Sequence, residues 1–269
     1  MKRIKIFKAL LLYLGLLSAG NLLAQELVLQ SATAISEPLV VSIDRLNNIY
    51  IADKKGNLKQ YTHGQLNQVF SPQQTGEITL VEAWNPLKIF LFYADFQEYI
   101  FLDRFLTSAQ RYSSRDLSSF SGLITISADN NLWVVDYVDF GLRKYNINFR
   151  QFTIETPFDL LLDPDNYEIT FIREYQNLVF ISDKASGILI FDNMGNYLRK
   201  IPVKGTDYFT FHKDQLYYLT NNGRELVAQH IYSSQKEVHS LPESALFAVS
   251  YDKHIAVITE DSLKIYKKN

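Results

Sequence analysis

Short hydrophobic runs separated by polar turns recur along the whole chain after residue 25. Two runs are nearly superposable: Asn48 to Asp53 reads NIYIAD, and Asn131 to Asp136 reads NLWVVD. Looser copies of the same phrase are Lys88 to Tyr93, Leu178 to Asp183, Gln215 to Thr220 and His254 to Thr259. The runs are rich in β-branched and aromatic residues and carry no stripe of helical period, so each predicts a β-strand.

The spacing of these runs predicts the architecture. They begin at residues 48, 88, 131, 178, 215 and 254, which are 40, 43, 47, 37 and 39 residues apart, as in propellers or helical arrays. Each run follows another strand-like run and is followed by a third and by a more polar fourth. Four short antiparallel strands in ~40 residues make one propeller blade. The chain is therefore predicted to be all-β, a six-bladed β-propeller of four-stranded antiparallel blades.

The two ends of the repeat region predict how the ring closes. The sixth unit stops at Asn269 after its third strand, and Glu26 to Gln30 (ELVLQ) is a spare strand before the first unit. Pairing this N-terminal strand with Ser262 to Tyr266 in the last blade would complete that blade and cover its open edge. The alternative, an open β-sandwich array, leaves both the spare strand and the missing one unexplained.

The repeat phrase resembles that of NHL-repeat-type and TolB-like six-bladed propellers, in which D-x-x-N-I-Y-V-x-D…G-x-I-x-x-F recurs. The match is carried by Asp44 to Asp53 with Gly56 to Tyr61, and by Asp129 to Asp136 with Gly141 to Tyr145. The sequence has neither a recurrent Gly-His…Trp-Asp signature nor a Gly-Gly pair, so it does not resemble WD-repeat or kelch propellers. The resemblance implies a fold, and a fold does not specify a function.

The first 25 residues are predicted to be a cleaved secretory signal. Four basic residues among the first eight precede an apolar run of 11 residues, Ala9 to Ala19, which is too short to span a bilayer comfortably. Cleavage is expected near Ala24 and Gln25, and residues 26–269 are expected to form one propeller domain without a membrane span. The segment is similar to signals of Bacteroidetes-type Gram-negative bacteria, so we expect a periplasmic or secreted protein. The alternative is an uncleaved anchor.

Composition narrows the partner class. The chain has 27 Lys and Arg against 29 Asp and Glu, and the signal carries four of the bases, which leaves 23 against 29 and a net charge of −6. A surface of this sign repels nucleic-acid phosphates unless a basic patch intervenes, and we find none. With no Cys, the chain can be neither lipidated at a cysteine nor held by disulfides. We expect a monomer that binds a protein or glycan partner and no nucleic acid.

The sequence offers little catalytic chemistry. The five histidines show no metal-ligand spacing, and neither a nucleophile elbow nor a phosphate-binding glycine loop is present. We therefore predict no catalytic residue, no metal ligand and no cofactor. Asp53, Asp136 and Asp183 recur at the ends of second strands, with Asp95 close to that position in another blade. They could surround the channel mouth and bind a cation or ligand, or accept backbone N–H groups in turns; recurrence favours the turns.

Three aromatic residues, Phe96, Tyr137 and Phe140, lie in the predicted loops between second and third strands, beside these carboxylates. Loop aromatics ringed by polar groups are typical of binding surfaces, so these residues and the four Asp are the predicted partner-binding set. Trp84, on the opposite side, is the rival anchor. The alternative function is a metal-dependent hydrolase or lactonase, because six-bladed relatives include calcium-dependent lactonases of the gluconolactonase type. That reading implies a divalent cation such as calcium in the channel.

Overall fold

The computed structural model describes residues 27–107 and 109–268. These residues form 24 β-strands arranged in six four-stranded antiparallel sheets, and no element among them is an α-helix. The predicted six-bladed β-propeller is confirmed. Within the same residues, no helix has the length and apolarity that a membrane crossing requires.

In blades 1 to 5 the four strands follow one another along the chain, from the strand beside the central channel to the outermost strand. In blade 6 the outermost strand is the N-terminal one. Blade 1 comprises β2 (Pro38–Ile43), β3 (Ile49–Asp53), β4 (Leu58–Thr62) and β5 (Gln65–Phe70); blade 2 comprises β6 (Leu80–Glu82), β7 (Ile89–Tyr93), β8 (Glu98–Leu102) and β9 (Ala109–Ser113); blade 3 comprises β10 (Ser121–Ile126), β11 (Leu132–Asp136), β12 (Gly141–Asn146) and β13 (Gln151–Pro157). Blade 4 comprises β14 (Ile169–Tyr175), β15 (Leu178–Asp183), β16 (Gly187–Asp192) and β17 (Tyr197–Ile201); blade 5 comprises β18 (Phe209–His212), β19 (Gln215–Thr220), β20 (Glu225–His230) and β21 (Lys236–Ser240); blade 6 comprises β22 (Phe247–Tyr251), β23 (His254–Ile258), β24 (Ser262–Lys268) and β1 (Leu27–Ala34).

The N-terminal strand closes the ring, as predicted. β1 runs antiparallel to β24, from Leu27 opposite Lys268 to Ala34 opposite Ser262, with a register shift between Leu29 and Ser31. The observed strand continues four residues beyond the predicted end at Gln30, while Glu26 lies outside the described residues. The predicted signal and its cleavage site also lie outside them and stay predictions. Pairing with β1 covers an edge of β24 that would otherwise be free to pair with another chain.

The core lies between the blades. The second strands of blades 1, 2 and 3 are buried along their whole length, because they are covered on both faces by neighbouring sheets. Aromatic side chains fill the space between adjacent sheets: between blades 4 and 5 the ring of Phe180 lies 4.7 Å from that of Phe211 and 6.1 Å from that of Phe209. Rings of this size bury a large apolar area, which is what two stacked sheets require.

The up-and-down order of the strands sorts the connections onto two sides of the ring. We call one side the AB face; it carries the turns between first and second strands and between third and fourth strands. The other side, the BC face, carries the turns between second and third strands and the connections from each fourth strand to the next blade. The first strands, β2, β6, β10, β14, β18 and β22, surround the central channel.

Candidate binding site at the channel mouth

The predicted carboxylates lie on the BC face, where three of them cap turns. Asp136 is buried and accepts hydrogen bonds from the Ser118 hydroxyl at 2.9 Å, the Val138 N–H at 2.9 Å and the Arg143 guanidinium at 3.0 Å. Burial alone would raise the pKa of Asp136, but these hydrogen bonds, with one from the Asp139 N–H, lower it below its ordinary value. The carboxylate is therefore held charged within its own blade.

The other three predicted carboxylates, those of Asp53, Asp95 and Asp183, belong to blades other than that of Asp136. Asp53 accepts the Asn57 N–H at 3.0 Å and forms an ion pair of 3.1 Å with Lys59. Asp183 accepts the Glu168 N–H at 2.7 Å through Oδ1, while its buried Oδ2 has no hydrogen-bond partner among the described residues. Asp95 is exposed. The contacts of the buried three are those of turn-capping carboxylates. A role for any of them in binding a partner stays a prediction.

The side chains of the three predicted aromatic anchors are half-buried. The Phe96 ring lies 5.9 Å from that of Tyr93 and covers Gly76, where an added Cβ would come within 2.3 Å of the ring. The Tyr137 ring covers Gly122 in the same manner, with an approach of 2.4 Å. Because both positions are glycine, the aromatic rings can lie directly over the backbone there. Both side chains therefore pack against the propeller.

Tyr137 and Phe140 are brought together by a third aromatic residue. The Tyr167 ring lies 5.9 Å from that of Tyr137 and 4.9 Å from that of Phe140, and Phe140 also meets Phe158 edge-on at 5.7 Å. The structure thus joins two of the three predicted aromatics in one cluster and leaves Phe96 in the neighbouring blade. That these aromatic residues contact a partner stays a prediction. Their packing against Tyr167 and Phe158 indicates that they stabilise the fold.

A cavity that the sequence did not predict opens on the AB face, at the channel mouth. It has a volume of about 540 Å³ and lies among the first turns of blades 2, 3 and 4. Trp84, 43% exposed, forms one wall, and Tyr175 meets it edge-on with 5.9 Å between ring centroids. An adjoining space of about 280 Å³ shares both rings and extends to blades 1, 5 and 6. The two spaces together surround the mouth, so Trp84 stands where all six blades converge.

A buried ion pair joins two blades next to these rings. Arg173 in β14 reaches Glu82 at the end of β6, with Nε 2.7 Å from Oε2 and a terminal nitrogen 3.1 Å from Oε1. The two residues belong to blades 4 and 2, which are not neighbours, so the pair spans the channel mouth. Both are nearly fully buried, at 2% and 7% exposure. Glu82 also accepts the Trp84 N–H at 2.8 Å, which ties the wall of the cavity to its floor.

The remaining walls offer hydrogen-bonding groups. Glu174 is held by two donors from blade 3, the Trp133 indole N–H and the Ser127 hydroxyl, each at 2.5 Å. The amides of Asn85, Asn130 and Gln176 also line the cavity. Tyr175 stacks on Phe211 at 4.3 Å and donates its hydroxyl hydrogen to the Lys213 carbonyl oxygen at 2.9 Å, which fixes the second ring. The cavity therefore combines two oriented aromatic rings with amide and carboxylate groups.

One sequence signal did point to this site. Arg173 follows the mostly hydrophobic residues ITFI in a first strand, and a charge at such a position must find a partner when it is buried. The identity of that partner was not readable, because Glu82 is 91 residues away. No group of three or more His, Cys, Asp or Glu side chains suited to a metal ion is found among residues 27–107 and 109–268.

No protein-family model matches the sequence, and no curated protein matches it. The fold is similar to solved structures. A catalytically inactive virginiamycin B lyase from Staphylococcus aureus, determined with quinupristin, has a TM-score of 0.61 and 9% identity over 89% of this chain and 99% of that one. BamB from Moraxella catarrhalis has a TM-score of 0.51 and 10% identity over 90% of this chain and 100% of that one.

A third similar structure is the extracellular domain of the putative one-component system BT4673 from B. thetaiotaomicron. Its TM-score is 0.54, with 13% identity over 91% of this chain and 40% of that one. Identities this low show the propeller fold alone. The resemblance to NHL-repeat-type and TolB-like propellers is thus supported for the fold, and no family model supports it for the family.

Proposed function

We propose that this chain is an exported, non-catalytic binding propeller that captures a glycan at the channel mouth of its AB face, with Trp84 as the central contact. The observation that carries the proposal is the cavity walled by Trp84 and Tyr175, beside the Arg173–Glu82 ion pair that joins blades 4 and 2. A concave site with aromatic walls and a few convergent polar groups is the usual form of a ligand pocket.

The lining suits a sugar better than it suits an ion. The C–H-rich face of a pyranose ring packs on an indole, while amides such as Asn85 and Asn130 and the carboxylate of Glu174 can bind its hydroxyls. The charges of Arg173 and Glu82 are already paired, so the floor presents little net charge to a ligand. Export is supported by the predicted signal sequence. Two of the similar structures are an extracellular domain and BamB, which agrees with an envelope or extracellular location.

The alternative of a metal-dependent hydrolase places a divalent cation in the channel. At the AB end of that channel the carboxylate of Glu82 is already paired with Arg173, so it is not free to hold a cation. The ion pair therefore favours a binding protein over a metal-dependent hydrolase.

The two tryptophans of the chain provide a direct test. Trp84 is 43% exposed and Trp133 is fully buried, so acrylamide quenching of indole fluorescence reports mainly on Trp84. Muropeptides and lipopolysaccharide core oligosaccharides serve as probes. We expect at least one of them to protect Trp84 from quenching at micromolar to millimolar concentration, and Trp84→Ala to abolish its binding in calorimetry.

Leu87→Ala is the matched control, because Leu87 is exposed in the same turn but does not line the cavity. It should bind the glycan normally. A glycan that binds without protecting Trp84, and with equal affinity to Trp84→Ala, would contradict the proposed site.

A further inference from the structure

Exposed apolar side chains stand at the tips of AB-face turns in five of the six blades. The residues concerned are between 52% and 74% exposed, although each is large and hydrophobic. They are Leu46, Leu87, Phe105, Phe149, Met194 and Tyr232. We call this set the prongs. Single exposed apolar residues need no explanation, but a set repeated at corresponding places on one side of a ring forms an extended surface.

Each prong is held by its own turn. The Leu46 N–H donates to Asp44 Oδ1 at 2.8 Å, and the Phe105 N–H donates to Asp103 Oδ1 at 3.1 Å. The other four prongs donate their backbone N–H groups to side chains two or three residues earlier in the same way: Asn85, Asn146, Asp192 and His230. Such caps fix the backbone of the tip, so the apolar side chain is exposed at little further cost in entropy. Tyr232 is in addition held by its hydroxyl, which donates to Gln176 Oε1 at 2.8 Å.

The two faces differ in charge. Among the described residues, the AB-face turns carry five exposed bases, Arg45, Arg104, Arg150, Lys213 and Lys253, against three exposed acids, Asp129, Asp214 and Asp252. The BC-face connections carry five exposed bases, Lys54, Lys55, Arg115, Lys204 and Arg224, against twelve exposed acids, Glu37, Glu77, Asp95, Asp116, Asp139, Asp159, Asp163, Asp165, Glu168, Asp207, Glu260 and Asp261.

This asymmetry orients the molecule in an external field. Three of the AB-face bases, Arg45, Arg104 and Arg150, are sequence neighbours of prongs, so basic and apolar groups share the same tips. An anionic surface repels the BC face and attracts the tips of the AB face.

The chain also enters the fold on this side. β1 begins at Leu27, opposite Lys268 at the AB end of β24. Leu27, the first described residue, therefore lies at the AB face.

We propose that the AB face docks on an anionic lipid surface, with the prongs entering the interfacial region and the neighbouring bases contacting phosphate headgroups. Apolar groups flanked by Arg and Lys are the combination that binds peripheral proteins to anionic membranes. The cavity at Trp84 then opens towards the membrane. None of the six prongs lines that cavity, so lipid binding and glycan binding can be measured independently.

The test is co-sedimentation with vesicles that contain phosphatidylglycerol, compared with vesicles of phosphatidylcholine alone. The protein runs from Gln25 onward, since the described residues from Leu27 to Lys268 close the ring among themselves. We expect binding to the anionic vesicles that weakens as salt is raised. Phe105→Ser with Phe149→Ser should reduce the partition coefficient by about tenfold or more. Arg104→Gln and Arg150→Gln should each reduce it about fivefold, as expected for ~1 kcal/mol per base.

The matched control is Val138→Ser with Leu160→Ser, which removes two apolar residues that are 60% and 98% exposed on the BC face. It should leave the partition unchanged, and circular dichroism should show that every variant keeps its fold. Equal binding to both kinds of vesicle, or an equal loss in the control, would overturn the proposal. So would a protein that ignores the vesicles yet binds polyglutamate through the same residues, because the AB face would then be a site for acidic polypeptides.

Discussion

Removing one member of the ion pair across the channel should strongly destabilise the fold. Arg173→Met keeps most of the length of the side chain but leaves the carboxylate of Glu82, only 7% exposed, without its positive partner. Removing one member of a buried pair costs about 3–5 kcal/mol, because the remaining charge keeps its desolvation penalty. For a domain of this size, about 2–4 °C accompanies each kcal/mol, so the thermal midpoint should fall by about 6–20 °C.

The assay is urea unfolding followed by far-ultraviolet circular dichroism, applied to a double-mutant cycle. Glu82→Leu with Arg173→Met replaces both charges by apolar groups and should recover most of the free energy of unfolding lost in Arg173→Met. A loss below about 1 kcal/mol in the single variant, or a double variant that loses the sum of the two singles, would refute the reasoning.

Three further predictions concern the ring and the BC face. Deleting residues 27–34 should lower the thermal midpoint sharply and cause aggregation visible in light scattering, because β24 loses its edge partner. Tyr137→Ala with Phe140→Ala should cost about 2 kcal/mol for each ring in urea unfolding, since both half-buried rings pack on Tyr167; a much smaller change would contradict this packing role. The folded-state pKa of Asp136 is lowered, so its stabilisation is present above its unfolded pKa of about 4 and is lost as pH falls through the folded value. The free energy of unfolding should therefore decrease from about pH 4 downwards, and Asp136→Asn should flatten that decrease.

The fold was readable from the sequence because each blade repeats the same local pattern. The period near 40 residues and the hydrophobic second strands are local features, and the structure contains both. The spare N-terminal strand was predictable because counting strands leaves one blade incomplete. Its extension to Ala34 was not, because the end of an edge strand depends on the partner it meets, here as far as Ser262.

The candidate site was less readable, because it depends on contacts between distant turns. The recurring Asp residues drew attention to the BC face, where the structure uses Asp53, Asp136 and Asp183 to hold turns. The cavity near Trp84 needs the first turns of several blades to meet at the channel, which no local pattern encodes. The exposure of Trp84 and the partner of Arg173 become visible only when the ring is assembled.

Position-specific cross-linking shows whether the AB face is the binding face of the propeller. The chain contains no Cys, so Leu87→Cys on the AB face and Leu160→Cys on the BC face each introduce a unique thiol at an exposed position. Each is labelled with a benzophenone maleimide, incubated with isolated cell envelopes and illuminated, and the adducts are identified by mass spectrometry. We expect lipid or glycan adducts from the label at position 87 and none from the label at position 160. Adducts from position 160 alone would contradict this expectation and would make the BC face the binding surface.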